Sequence, residues 1–99
     1  MAVIQVKEHD NTVMITIRDR FDFSSHKEFM AGYKGRESAV KYVIDLQDVQ
    51  YIDSSALGML VLLREHTLEQ GGSVNIINCN GDIKKILMIA NFHNLFNIQ

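Results

Sequence analysis

Apolar and polar residues alternate from the start of the chain. Ile4 and Val6, then Val13, Ile15 and Ile17, recur with the period of two that lays one face of a strand against a core. Between the two runs lies Glu8-His9-Asp10-Asn11, whose Asp and Asn tolerate the positive φ angles of a tight turn. The pattern predicts an antiparallel hairpin over residues 3–18. Asp19-Arg20-Phe21-Asp22-Phe23 reads as an irregular bridge. Ser25-His26-Lys27-Glu28 then has the Ser-x-x-Glu form of a capping box, which predicts a helix start. Phe29, Met30 and Tyr33 form its apolar stripe, and Gly32 and Gly35 weaken it, so the helix should be short and end before Val40.

Val40, Tyr42, Ile44 and Leu46, with Val43 also apolar, describe a strand buried on most of both faces, as parallel strands are. Gln47 to Ile52 reads as a connector. From Ser54 or Ser55 the period changes to that of a helix. Ala56, Met59, Leu60 and Leu63 follow i, i+3, i+4, i+7, and Leu57, Val61 and Leu68 broaden the stripe. Gly71-Gly72 should stop this helix after about four turns, glycine being the usual terminator. Val74, Ile76 and Ile77 make the next strand. Asn80-Gly81-Asp82 should cap a third helix with the inner face Ile83, Ile86, Leu87 and Ala90, and Leu95, Phe96 and Ile98 suit a last short strand.

A strand, a helix and a strand in succession call for a parallel pair joined by a right-handed crossover. The expected class is therefore α/β: a mixed sheet of four to five strands, an N-terminal hairpin, and helices packed mainly on one face. Ninety-nine residues fit a single domain covering residues 1–99. Its hydrophobic fraction of 46% and charged fraction of 22% are those of an ordinary globular protein.

Charge and composition narrow the chemistry. The formal net charge is −2 and the basic residues are scattered, Lys84-Lys85 being the closest pair, so no stripe follows a phosphate backbone and no nucleic-acid partner is expected. The longest apolar stretch, Ala56 to Leu63, falls far short of the ~20 residues of a membrane helix. The N-terminus shows no basic leader ahead of an apolar run. A cytoplasmic protein without a membrane partner is expected. The single cysteine, Cys79, reads as a buried or half-buried thiol in a reducing compartment.

Constellations for catalysis are not found. His9, His26, His66 and His93 show no i, i+4 pair and no Glu-x-x-His arrangement, so neither a metal nor another cofactor is expected. There is no glycine-rich phosphate loop, and Ser54 and Ser55 lack the flanking glycines of a nucleophile elbow. Asp22, Asp45, Asp48 and Asp53 could cluster, but carboxylates alone do not define an acid–base pair. The expectation is a non-enzymatic chain.

Tyr51-Ile52-Asp53-Ser54-Ser55-Ala56-Leu57-Gly58 stands apart, because three small polar residues sit where a strand turns over into a helix. One of Asp53, Ser54 and Ser55 supplies the N-cap, and Gly58 would let the helix pack close to the sheet. The same turn offers unpaired N–H groups and the positive end of a helix dipole, a natural seat for a phosphate on Ser54. From composition alone, capping is the favoured account.

The run Val43 to Gly58, with its Asp-Ser-Ser-x-Leu-Gly hexad and upstream Asp45-Leu46, closely resembles the signature of the STAS family, which holds bacterial anti-sigma factor antagonists and the C-terminal domains of sulfate transporters. Arg20-Phe21-Asp22 sits where members carry a Gly-x-Leu-Asp-like bend, Gly71-Gly72 precedes the fourth strand as in relatives, and Leu95-Phe96 fits the family's Leu-Phe. The resemblance spans nearly the whole chain. Ala56 replaces a glycine common after the serine pair, and many antagonists continue past the strand expected near Gln99 into a further helix.

What the resemblance implies is a partner switch. Ser54 would be phosphorylated by an ATP-dependent serine kinase that is also an anti-sigma factor. The unphosphorylated antagonist would bind that kinase, phosphorylation would release it, and a metal-dependent serine phosphatase would reset it. Asp22 aligns with an acidic residue associated with kinase contact. The implied docking surface combines Asp22, Asp53, Ser54, Ser55, Leu57 and Met59, although core packing is the plain account of at least one of the last two. Other outcomes stay open: a biofilm or motility regulator as target, a constitutive scaffold or transport-complex subunit in which Ser54 is only a cap, or an enzyme or nucleotide binder. The oligomeric state is left open as well.

Overall fold

A computed structural model describes residues 3–36 and 41–99. Strands β1 (Ile4–His9) and β2 (Thr12–Phe21) form the N-terminal hairpin, followed by a 3-10 turn (Phe23–Ser25) and helix α1 (His26–Ala31). Strand β3 (Lys41–Ile52), helix α2 (Ser54–Glu69), strand β4 (Ser73–Ile77), helix α3 (Gly81–Ile89) and strand β5 (Asn97–Ile98) complete the chain. The five strands stand in sequence order, β1-β2-β3-β4-β5. Only β1 and β2 are antiparallel; every later neighbour is parallel.

That order fixes where the helices lie. Each crossover steps one strand in the same direction, so right-handed connections place α1, α2 and α3 on one face. Burial agrees. Val13, Ile15 and Ile17 of β2, Tyr42, Ile44 and Leu46 of β3, and Val74 and Ile76 of β4 are buried and share one core with Phe29, Leu60, Leu63, Ile83 and Leu87 from the helices. The smallest extent, 20 Å, is that of two layers.

The sheet departs from the expected picture on its second face. Val43 and Asp45 point away from the core and stay half-exposed, so β3 is buried on one face rather than most of both. Val40 lies outside the described residues. The segment read as a connector, and the bridge as far as Phe21, are strand: Arg18 to Phe21 pairs with Asp48 to Ile52 after a register shift. Their periodicity is hidden because β2 and β3 bulge there, with Asp19 at φ 63° and Val49 and Ile52 buried out of simple alternation.

The helix ends follow local chemistry, with one exception. Gly71, at φ 73°, and Gly72 close α2 by donating to Leu68 and Thr67 carbonyls, the paired bonds of a Schellman motif. Asn80 caps α3 through its side chain, which accepts from the Ile83 amide. At α1 the capping box does not form. Ser25 occupies the N-cap but its side chain makes no capping bond, and its hydroxyl is buried without a partner. The chain enters α1 through the 3-10 turn, and Asp22 caps that turn instead. Gly32 sits in a tight space, since a Cβ there would meet the Phe29 carbonyl at 3.1 Å and the Val6 side chain at 3.2 Å.

Three apolar residues lie elsewhere than their spacing predicts. Leu68 and Ile86 are exposed, on the outer edges of their helices, and Leu95 is exposed beside the short turn Phe92–Asn94 that precedes β5. Gly58 also faces outward with open space where a Cβ would stand, so it does not serve packing against the sheet. Among the described residues no helix is long and apolar enough to cross a membrane.

Candidate functional site

Ser54 is the first residue of α2 and is exposed. The reason lies one residue earlier. Asp53 holds an extended backbone (φ −117°, ψ 179°), and its carboxylate accepts from the Ala56 amide at 2.9 Å. The N-cap is therefore Asp53, and the Ser54 hydroxyl is not needed to close the helix. Ser55 turns inward and is half-buried, and Ala56 is fully buried.

The end of β2 lies beside this tip, because the Asp53 amide donates to the Phe21 carbonyl at 3.4 Å. The next residue, Asp22, is thereby brought close to the helix start. Its carboxylate accepts from both the amide and the hydroxyl of Ser24 and from Arg20 Nε at 3.1 Å. The Ser24 hydroxyl first, then the Arg20 guanidinium, hold the Asp22 carboxyl below its ordinary range. Arg20 also stacks over the Tyr51 ring, 4.2 Å from its centroid, and so links the ends of β2 and β3.

Two aromatic side chains here have no core role. Phe23 is 67% exposed and stacks on His26 with centroids 5.3 Å apart, and Tyr51 is 43% exposed. Phe23, His26, Arg20 and Tyr51 are absent from the sequence-derived site. The available signal was aromatic residues in a bend dense with aspartates, at positions no apolar period explains.

Of the six residues expected to form a docking surface, the structure brings Asp22, Asp53, Ser54 and Ser55 to one end of the molecule. Leu57 packs partly against the core and keeps some surface. Met59 is a correction: at 3% exposure it lies inside the core, one turn down the buried stripe of α2.

Among the described residues no three His, Cys, Asp or Glu side chains converge as a metal site would require. Asp45 and Asp48 sit along β3, paired with Thr16 and Arg18, away from Asp22 and Asp53. Burial pushes the half-buried Cys79 thiol above its ordinary pKa, the direction of an unreactive sulfur.

The two-layer α/β fold defines the class, and comparison places the chain within it. The STAS domain model matches residues 3–99. A STAS-domain-containing protein of Pseudomonas aeruginosa (strain UCBPP-PA14) is 40% identical over 101 residues, all of both chains. The chain belongs to the STAS domain family.

Solved structures agree on the fold. An anti-sigma-factor antagonist (STAS) domain protein from Planctomyces limnophilus superposes with a TM-score of 0.84 at 19% identity, covering 98% of this chain and 89% of that one. The anti-sigma factor antagonist SpoIIAA in its unphosphorylated form gives 0.80 at 14% identity over 97% and 86%. The phosphorylated form of SpoIIAA from Bacillus gives 0.78 at 13% over 97% and 90%.

Proposed function

We propose that the chain is a phosphorylation-gated protein-binding regulator of the anti-sigma factor antagonist type, acting in the cytoplasm without enzymatic activity of its own. The unphosphorylated form binds an anti-sigma factor that is also a serine kinase; phosphate on Ser54 releases it, and a metal-dependent serine phosphatase restores it. One observation carries this reading. Ser54 is exposed at the helix tip while Asp53 performs the capping, so the hydroxyl is left open to a kinase.

The physics of the tip suits a switch. A phosphate there gains from the positive end of the α2 dipole and from the free amides of the first turn, so it would not unfold the helix. It adds close to two negative charges beside Asp53 and Asp22, where a partner meets a small hydroxyl in the unmodified state. Phe23, Tyr51 and Arg20 supply the residue types that dominate binding energy at interfaces. A coupling of about 1–3 kcal/mol, roughly 5–150-fold in affinity, suffices for such control.

Affinity capture from native lysate with wild type, Ser54→Ala and Ser54→Asp tests the reading. Ser54→Ala should hold one protein constitutively and Ser54→Asp should lose it. Equal recovery of the same protein by both variants would refute gating. Intact-mass analysis of protein from its own host should show a single-phosphate form mapping to Ser54.

A further inference from the structure

The sheet face opposite the helices is bare among the described residues, although its four central and outer strands are parallel. Parallel strands are ordinarily covered on both faces. Here Met14 of β2, Val43 of β3 and Ile77 of β4 remain at least partly open to solvent on that side. Met14 pairs with Val43, so the two form an apolar centre on adjacent strands.

Charge is arranged symmetrically about that centre. Lys41 and Asp45 lie on the same face of β3, two residues to either side of Val43. Lys41 is exposed and enters no ion pair among the described residues. Asp45 is half-exposed, and its Oδ1 accepts from the Gln47 amide and from Asn78 Nδ2.

We propose that this face is a self-association surface and that its occupant is a second copy of the chain. Two sheets can stack face to face about a dyad in the sheet plane, and the charges select one orientation. A dyad running along β3 sets Lys41 against Lys41 and Asp45 against Asp45, and one between β2 and β3 sets them against Thr12 and Thr16, with no charge to match. A dyad across the strands through Val43 sets Lys41 of each copy opposite Asp45 of the other, each about 6.6 Å from the axis at a rise of about 3.3 Å per residue. Val43 and Met14 then meet their own counterparts at the centre, in the aligned packing of two sheets. Lys7, beside Met14 on the outer strand β1, also meets its counterpart, but at the rim, where a long side chain extends into water.

The contact is small. Four strands about 4.8 Å apart and five residues deep cover roughly 300 Å² of flat sheet per copy. That is short of the ~1,200 Å² that stable interfaces bury in total, so the association is weak and concentration-dependent. It stands independently of phosphorylation at Ser54.

Sedimentation of the full chain from about 10 µM to 1 mM, the range in which a weak interface is populated, should show the average mass rising from monomer toward dimer. Lys41→Asp and Asp45→Lys should each weaken association at least tenfold, and the double variant should restore it to within about threefold of wild type. Asp45→Lys also removes the bond to Asn78; should it fail to fold, Lys41→Asp and Met14→Lys, both at exposed positions, carry the test by each abolishing the rise. A wild type that stays monomeric at 1 mM, or charge reversals without effect, overturns the proposal.

Discussion

Asp53 and Ser25 both occupy N-caps, yet only one of them caps with its side chain. Asp53→Ala removes the bond to the Ala56 amide and should cost about 1 kcal/mol, which lowers Tm by about 4–8 °C in a domain of this size. Ser25→Ala separates the sequence reading from the structure. A working capping box makes it as costly as Asp53→Ala, whereas a buried hydroxyl without a partner makes it neutral or stabilising by up to about 1 kcal/mol. Thermal melts of the two variants decide between these. Asp22 contributes through its charge. Its folded pKa is depressed below 3.8, so the stabilisation it gives is present above that pH and is lost as pH falls through the lower folded value. The gap between wild type and Asp22→Asn in urea midpoints should therefore be constant near neutrality and narrow as pH falls below about 4; a gap that does not change with pH would contradict this role.

At the scale of the elements, α2 explains why spacing succeeds and where it stops. The i, i+3, i+4, i+7 run of Ala56, Met59, Leu60 and Leu63 is buried as its period dictates. Leu62 is equally apolar but 48% exposed, and Leu68 is exposed as well. Leu60→Ala should cost about 2–5 kcal/mol through lost burial and a residual cavity, while Leu62→Ala should stay within about 0.5 kcal/mol. Chemical denaturation of both checks the difference. For the candidate site, the hexad made the serine legible, but the partition between capping and display was not. Three adjacent residues could each accept the amide bond. Backbone geometry at Asp53 assigned it, and so left Ser54 open. Phe23 and Tyr51 were illegible for a related reason: an exposed aromatic residue looks the same in sequence as a buried one until the strand ends that carry it are placed side by side.

Across the whole molecule, local pattern by itself determined the hairpin, the three helices, the parallel crossover and the buried stripe, because each depends on near neighbours in the chain and on the fixed periods of helix and strand. It also determined the chemistry available at the Ser54 turn. Tertiary structure alone decided the rest. Pairing of Arg18 to Phe21 with Asp48 to Ile52 turned an apparent connector, and an apparent bridge as far as Phe21, into strand, since register shifts erase alternation while interstrand hydrogen bonds persist. Consistent right-handed crossovers placed every helix on one face and left Val43 and Met14 on the other, and the contact between the Asp53 amide and the Phe21 carbonyl brought Asp22 beside Ser54. These depend on residues about 30 apart along the chain, and no local period encodes which of them meet.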